Sequence, residues 1–361
     1  VARHIAGGPR RRRARLMPRA VTVVGGGLFG VTAACALARA GCQVTLVERA
    51  SGLLRGASGV NQYRLHRGFH YPRSPETVAA CLAAEESFRR TFHDAVIDDH
   101  AHYYAVARAG SRLSAADYLA ALSRMGLTWR IERPPVVRAE TVACCIRVDE
   151  AAVDLTRLRR TCARLLCEAG VQVRTGTVFR WCDLPPGETV VLATYAANNQ
   201  LLRAAGLPAT PYRYQLAELL SVKLPPTYDG ISCLVMDGDF PSLDPCGRTG
   251  HHVVGHVTEM HHVEETRMVC TFEAEAARRR SSAATWRRWL ATGTEFYAGL
   301  DGARLLGSQL VVRTTLAGVS ATDARPTLVK QHDERVFTVF SGKLTTCTTA
   351  AQTVTALVLG V

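Results

Sequence analysis

Residues 21–48 constrain this chain more than any other stretch. Val21-Thr-Val-Val24 is a β-branched run of strand length. Gly25-Gly-Gly-Leu-Phe-Gly30 follows, then the Ala-rich stretch from Val31 to Ala40 stopped by Gly41, then a second strand over 43–47 that ends at Glu48. The hydrophobic period is that of a strand, then a helix, then a strand again, which is the pattern of a β–α–β unit. A G-x-G-x-x-G alone often matches by chance. Set between a strand and a helix, with an acid closing the next strand, it predicts a dinucleotide-binding turn. Gly25 allows the tight turn, Gly27 lets backbone approach a pyrophosphate, and Gly30 lets helix and sheet pack closely. The helix N-terminus then faces the phosphates with its partial positive charge, and Glu48 can accept both hydroxyls of a ribose. The unit predicts Gly25, Gly26, Gly27, Leu28, Phe29, Gly30, Glu48 and Arg49 as cofactor contacts.

Further along, residues 75–94, 114–125 and 154–169 read as helices. Residues 102–107, 171–174 and 190–194 read as strands. Residues 211–275 change character. Strand-like runs at 217–222, 231–236, 252–257 and 267–272 are punctuated by Pro225-Pro226, Asp237-Gly238 and Gly247, which predicts an antiparallel sheet. Residues 274–297 read as a basic helix, 336–340 as a strand, and 344 onward as a long helix. At 361 residues the chain has room for two lobes. The expected fold is α/β. A Rossmann-like nucleotide-binding lobe draws on 20–75, 150–210 and 325–361. A second, α+β substrate lobe built on the antiparallel sheet draws on 76–149 and 211–324. Residues 1–19 form a basic tail.

Composition removes several classes. With 47% apolar and 21% charged residues the chain is neither disordered, collagen-like nor a coiled coil. No apolar run reaches the roughly 18–20 residues of a membrane span. The formal charge of +13 is concentrated: residues 1–19 hold seven arginines and no acid, and no basic stripe interleaved with aromatics follows, so nucleic acid is not an expected partner. Residues 1–16, ahead of Met17, read as a dispensable tail. The twelve cysteines include no CxxC, and most sit in apolar contexts, so they read as small buried hydrophobes in a reducing cytoplasm. His251, His252, His256, His261 and His262 invite a metal reading. No Cys or carboxylate completes a ligand set at metal spacing, so no metal is expected.

Only one strand–GxGxxG–helix unit is present, so no second dinucleotide fold is available to a nicotinamide reductant, and the substrate itself is expected to reduce the cofactor. Gly56-Ala-Ser-Gly-Val-Asn-Gln-Tyr-Arg-Leu-His66-Arg-Gly-Phe-His-Tyr71 resembles the flavin-contacting loop of the D-amino-acid oxidase superfamily of FAD-dependent oxidoreductases. That superfamily includes glycine oxidase, sarcosine oxidase, L-2-hydroxyglutarate dehydrogenase and glycerol-3-phosphate dehydrogenase. Leu65-His66, Gly68 and Tyr71 carry the likeness. Ser341-Gly-Lys-Leu-Thr-Thr346 resembles the Gly-Lys-Leu-Thr-Thr stretch of glycerol-3-phosphate dehydrogenases, where it faces the isoalloxazine. The resemblance covers about residues 20–360. It implies FAD as the cofactor and adds Ser58, Asn61, Val178, Ala193, Thr194, Gly342, Lys343, Leu344, Thr345 and Thr346 to its contacts. Two departures stand out. Tyr195 follows Thr194 where small residues are usual. His70 stands where glycerol-3-phosphate dehydrogenases have an arginine that helps hold phosphate, which argues against a phosphorylated glycerol.

The resemblance implies hydride removal from a CH–OH or CH–NH carbon of a small polar metabolite, with a lean toward hydroxyl. Its alternatives are an amine or amino-acid oxidase of the glycine-oxidase type, an NAD(P)H-reduced flavoprotein, and a non-catalytic FAD-binding protein. His66, His70, Tyr71, Arg325 and Lys343 are the candidate catalytic residues. His66 and His70 can titrate near neutral pH. His66 either accepts a proton or only packs under the ring. Lys343 either places a cation by the flavin or contributes only its backbone. Arg325-Pro326 resembles an Arg-Pro near the family's substrate site. Substrate identity and oligomeric state stay open.

Overall fold

The computed structural model describes residues 19–272, 283–319 and 322–361. The basic tail up to residue 18 and the expected start of the basic helix, 274–282, lie outside the described residues.

The first strand, Ala20–Val24, sits inside a six-stranded sheet. Across the sheet the order is Leu328–Gln331, Val336–Phe340, Thr189–Leu192, Ala20–Val24, Gln43–Val47 and Gln172–Arg174. All pairs are parallel except the hairpin of the first two. Central strands buried on both faces explain why they read as unbroken β-branched runs. The helix Leu28–Arg39 packs on one face with the last helix, Cys347–Leu359, and Val31, Ala34, Leu37, Val354 and Val358 share one core with Val21, Val23 and Leu46. The last helix stops at Gly360, which takes the left-handed conformation (φ +74°) that a Cβ disfavours. The first and last segments of the chain thus meet in one lobe.

The second lobe is a nine-stranded mixed sheet, mostly antiparallel. Ile231–Met236 pairs in parallel with Ala101–Ala107. The strands at 231–236 and 252–256 follow the sequence reading closely. Three departures do not. The expected strand at 267–272 is instead His261–Arg267, set by pairing against Tyr212–Lys223 with a bulge between Leu216 and Ala217. Pro241–Pro245 is a strand despite prolines at both ends. Arg304–Leu316, at 13 residues, was not expected at all. Gly307-Ser308-Gln309 breaks its alternation, and only its pairing along Tyr212–Lys223 makes it a strand. A small sheet of Arg64–Leu65, Ala151–Val153 and Val96–Ile97 ties the lobes together.

All twelve cysteines are free, and seven are buried. Among the described residues no helix is long and apolar enough to cross a membrane, and no three His, Cys, Asp or Glu converge as metal ligands.

Candidate active site

The glycine turn has the geometry its sequence predicts. Gly25 has φ +110°, and a Cβ there would lie 2.5 Å from the Ala193 carbonyl oxygen. A Cβ on Gly30 would fall 1.8 Å from the Gly25 carbonyl oxygen, so helix and turn touch only because residue 30 is glycine. Gly27 caps the helix without a side-chain hydrogen bond, which leaves first-turn N–H groups facing out. The Leu28 N–H is the exception, donating to Ser58 Oγ at 3.0 Å. Glu48 accepts from the backbone N–H of Gly26 at 2.6 Å and of Ala50 at 2.7 Å, which fixes the carboxylate at the strand end. Leu28 and Phe29 are buried behind it, and Arg49 is exposed beside it. Val178 lies exposed just past Thr177, whose N–H reaches the Glu48 carbonyl. Ala193 N–H donates to the Val24 carbonyl, and the Thr194 hydroxyl donates to Asn198.

The loop that follows is folded by its own polar residues. Asn61 donates to the carbonyls of Ala57 and Ser58 and accepts from the Tyr63 N–H. This turn delivers His66, His70 and Tyr71 to one place: the two imidazole centroids are 6.2 Å apart, and each lies edge-on to the Tyr71 ring at 6.1 and 5.1 Å. From the other end of the chain, Gly342 N–H donates to Thr327 Oγ1, and the Thr346 hydroxyl donates to the Lys343 carbonyl, closing the turn Leu344–Thr346. That turn sets Lys343 Nζ 4.2 Å from the Tyr71 ring centroid, and the Arg325 guanidinium lies 6.0 Å from the same ring. The other four candidate catalytic residues therefore surround Tyr71.

A cavity of about 490 Å³ opens here. One wall carries Phe29, Ser58, Asn61, His66 and Gly342–Leu344, and the other is the second-lobe sheet. Burial and the neighbouring Lys343 push both His66 and His70 well below the ordinary imidazole range, so both are neutral at pH 7. Burial lowers the Lys343 ammonium to about 7. Among the described residues neither Lys343 nor Arg325 has a carboxylate at ion-pair distance. Arg325 donates instead to the carbonyls of Asp323 and Ala324 at 2.8 and 2.9 Å.

Sequence reasoning did not pick out Arg313 or Arg213 in this cavity, and named His261 only within the histidine cluster and Tyr195 only as a departure. Arg313 and His261 meet on the sheet wall at 3.1 Å, and Arg213 pairs there with Glu264. Tyr195 holds φ +55°, a costly position for a tyrosine, and its hydroxyl is locked between the carbonyl and the N–H of Thr314 at 2.6 and 2.8 Å. Its presence among small residues was the available signal. Beneath the loop, Arg64 is buried against Glu150 (3.3 Å) and Asp244 (3.0 Å), with the Ser232 hydroxyl and the Tyr104 ring completing its surroundings. An acid in an apolar stretch, Glu150-Ala-Ala-Val153, was the only trace of this cluster in the sequence.

Residues 20–357 match the family described as DAO, FAD dependent oxidoreductase. The chain belongs to this family of FAD-dependent oxidoreductases. It is 29% identical over 355 residues to the FAD-dependent monooxygenase FPY4 of Fusarium mangiferae, covering 94% of this chain and 91% of that one. Its fold resembles glycine oxidase from Geobacillus kaustophilus (17% identity, TM-score 0.74, 94% of each chain). It also resembles FAD-bound L-alpha-glycerophosphate oxidase from Mycoplasma pneumoniae (16% identity, TM-score 0.71, 95% of each chain). As an FAD-dependent oxidoreductase the protein is an enzyme, and its cofactor is FAD. The residues present fit that group. The uncapped helix after Gly27 suits a pyrophosphate, the Glu48 carboxylate stands where a ribose can use it, and the cavity continues from Ser58 to the 342–344 turn. Bound FAD supplies a two-electron acceptor, the flavin N5 that takes a hydride.

Proposed function

We propose that this enzyme oxidises the CH–OH or CH–NH carbon of a small anionic metabolite, with hydroxyl as the preferred group. One observation carries the reading: two cations with no carboxylate at ion-pair distance among the described residues, Lys343 and Arg325, flank Tyr71 beside two neutral imidazoles. Half-buried cations that lack a close counter-ion favour a ligand that supplies one. Lys343 and Arg325 hold the substrate's anionic group, a carboxylate being the commonest in small metabolites. His70 contacts the substrate beside the reacting carbon, and Tyr71, expected to do the same, is buried behind it outside the cavity lining. His66 takes the proton that leaves the hydroxyl, for which a neutral imidazole is suited and an imidazolium is not. The expected lobe division, with FAD on 20–75, 150–210 and 325–361 and substrate on 76–149 and 211–324, belongs to the same proposal.

The relatives named monooxygenases favour a second reading, in which a nicotinamide reduces the flavin and oxygen follows. Against it stands the single glycine-rich β–α–β unit among the described residues. Anaerobic mixing of the yellow holoenzyme with 2-hydroxy acids, α-amino acids, uncharged alcohols and NADPH decides between them. Bleaching of the band at about 450 nm is expected with one of the carboxylates and with neither the uncharged alcohols nor NADPH. Bleaching by NADPH alone would install the monooxygenase reading.

A further inference from the structure

His66 is oriented by something, and its own loop does not supply it. Its Nδ1 is buried and has no hydrogen-bond partner, while the ring, 10% exposed, lines the cavity. The charged and titratable groups facing this ring are Lys343, Arg64, His70, His102, Glu150 and the edge of Tyr71. Four of them are nitrogen bases or cations. Glu150 is the one carboxylate within 4 Å among the described residues, with Oε1 3.8 Å from Nδ1. Glu150 is itself held from three directions. Oε1 accepts from the Arg67 N–H at 2.7 Å, and Oε2 accepts from Tyr104 Oη at 2.9 Å and from Arg64 at 3.3 Å. Every partner donates, which favours the carboxylate against the burial that raises its pKa.

We propose that Glu150 is the positioning residue of His66, drawing the ring proton to Nδ1 so that the Nε2 lone pair is left on the cavity side. This rests on the reading of His66 as the proton acceptor. A neutral imidazole has one N–H and one lone pair, and the partner of the first fixes where the second points. Without Glu150 the four surrounding bases and cations give the ring no reason to choose Nδ1–H. The assignment also gives a role to the buried cluster of one guanidinium and two carboxylates. Asp244, with Ser232, neutralises Arg64 from the second lobe, which frees the charge of Glu150 to act on His66.

The test reads the tautomer and needs no substrate. In holoenzyme labelled with ¹⁵N-histidine, His66→Asn identifies the His66 signals, and two-bond ¹H–¹⁵N correlations give its tautomer. Wild type is expected as Nδ1–H. In Glu150→Gln, where Arg64 keeps Asp244, the Nδ1–H to Nε2–H ratio is expected to fall about tenfold, as when the one anionic charge facing Nδ1 is lost. Glu150→Asp keeps the charge but draws it back from the ring, so it should give a smaller fall and serves if the Gln variant does not fold. An unchanged tautomer in both variants overturns the proposal. A kinetic arm separates it from the reading beneath it. With whichever carboxylate bleaches the flavin fastest, Glu150→Gln should slow reduction about 10-fold or more, and add no further loss in a His66→Asn background. If His66→Asn reduces as fast as wild type, His66 is not the acceptor. If His66→Asn is slow and the two losses multiply, Glu150 acts elsewhere.

Discussion

The nucleotide turn and the cavity wall behind Tyr71 are built in opposite ways. In the turn, contacts are short in sequence: Gly26 to Glu48 spans 22 residues and Leu28 to Ser58 spans 30. They are largely made by backbone or to backbone. At the wall the contacts are long. Arg64 to Asp244 spans 180 residues, Tyr195 to Thr314 spans 119, and the Arg325 N–H to Thr77 spans 248. Each brings together residues whose pairing no local pattern fixes. The turn therefore tolerates almost no substitution and carries the generic property of the family. The wall carries what is particular to this enzyme.

The comparison breaks first at the turn. Gly30→Val places atoms inside the Gly25 carbonyl and should cost about 3 kcal/mol or more by overpacking. The expected outcome is little soluble protein and no yellow colour, and a stable, flavin-loaded variant would refute the close approach. At the wall, Arg325→Ala should leave the flavin spectrum intact while raising KM for a carboxylate substrate. A lost charge pairing of about 2–4 kcal/mol corresponds to roughly 30- to 1000-fold. An unchanged KM would put the anion site elsewhere. Glu48→Ala is the counterpart on the cofactor side. It should loosen FAD by about 2 kcal/mol, near thirtyfold, measured as apoprotein reconstitution, with KM of the loaded enzyme unmoved.

Lys343 sharpens the comparison through pH. Its ammonium is lowered to about 7, so it is cationic below that pH and loses its charge above it. Binding of a carboxylate inhibitor should be strongest below about pH 7 and weaken by up to about tenfold per unit above it. Lys343→Arg should flatten that profile, and a wild-type profile that is level from pH 6 to 9 would exclude the lysine from the anion site. The smallest effect is expected from Tyr195→Phe. It removes two hydrogen bonds to Thr314, so thermal stability should drop by about 1–2 kcal/mol with FAD retained. A variant as stable as wild type would mean that this bridge between the lobes is not what holds the tyrosine in its left-handed conformation.

The glycine spacing, the β-branched strand before it and Glu48 after it were sufficient to define the β–α–β unit. A backbone turn with a Cβ-free approach is specified by residues that lie side by side in the chain. The 56–71 loop and the 341–346 turn were legible for the same reason, each being a local motif with fixed offsets. The strand at 304–316 was not legible, because a chain with Gly307-Ser308-Gln309 in it becomes a strand only when Tyr212–Lys223 offers it hydrogen bonds along its length. The Arg64–Glu150–Asp244 cluster was not legible either. A charged residue reads as solvated until folding closes loops of 86 and 180 residues to bury it among its partners. Sequence alone thus determined which cofactor the chain is shaped around. The depression of Lys343, the neutrality of His66 and the identity of the groups that face them were decided only by tertiary structure, because a side chain's charge depends on what burial brings beside it.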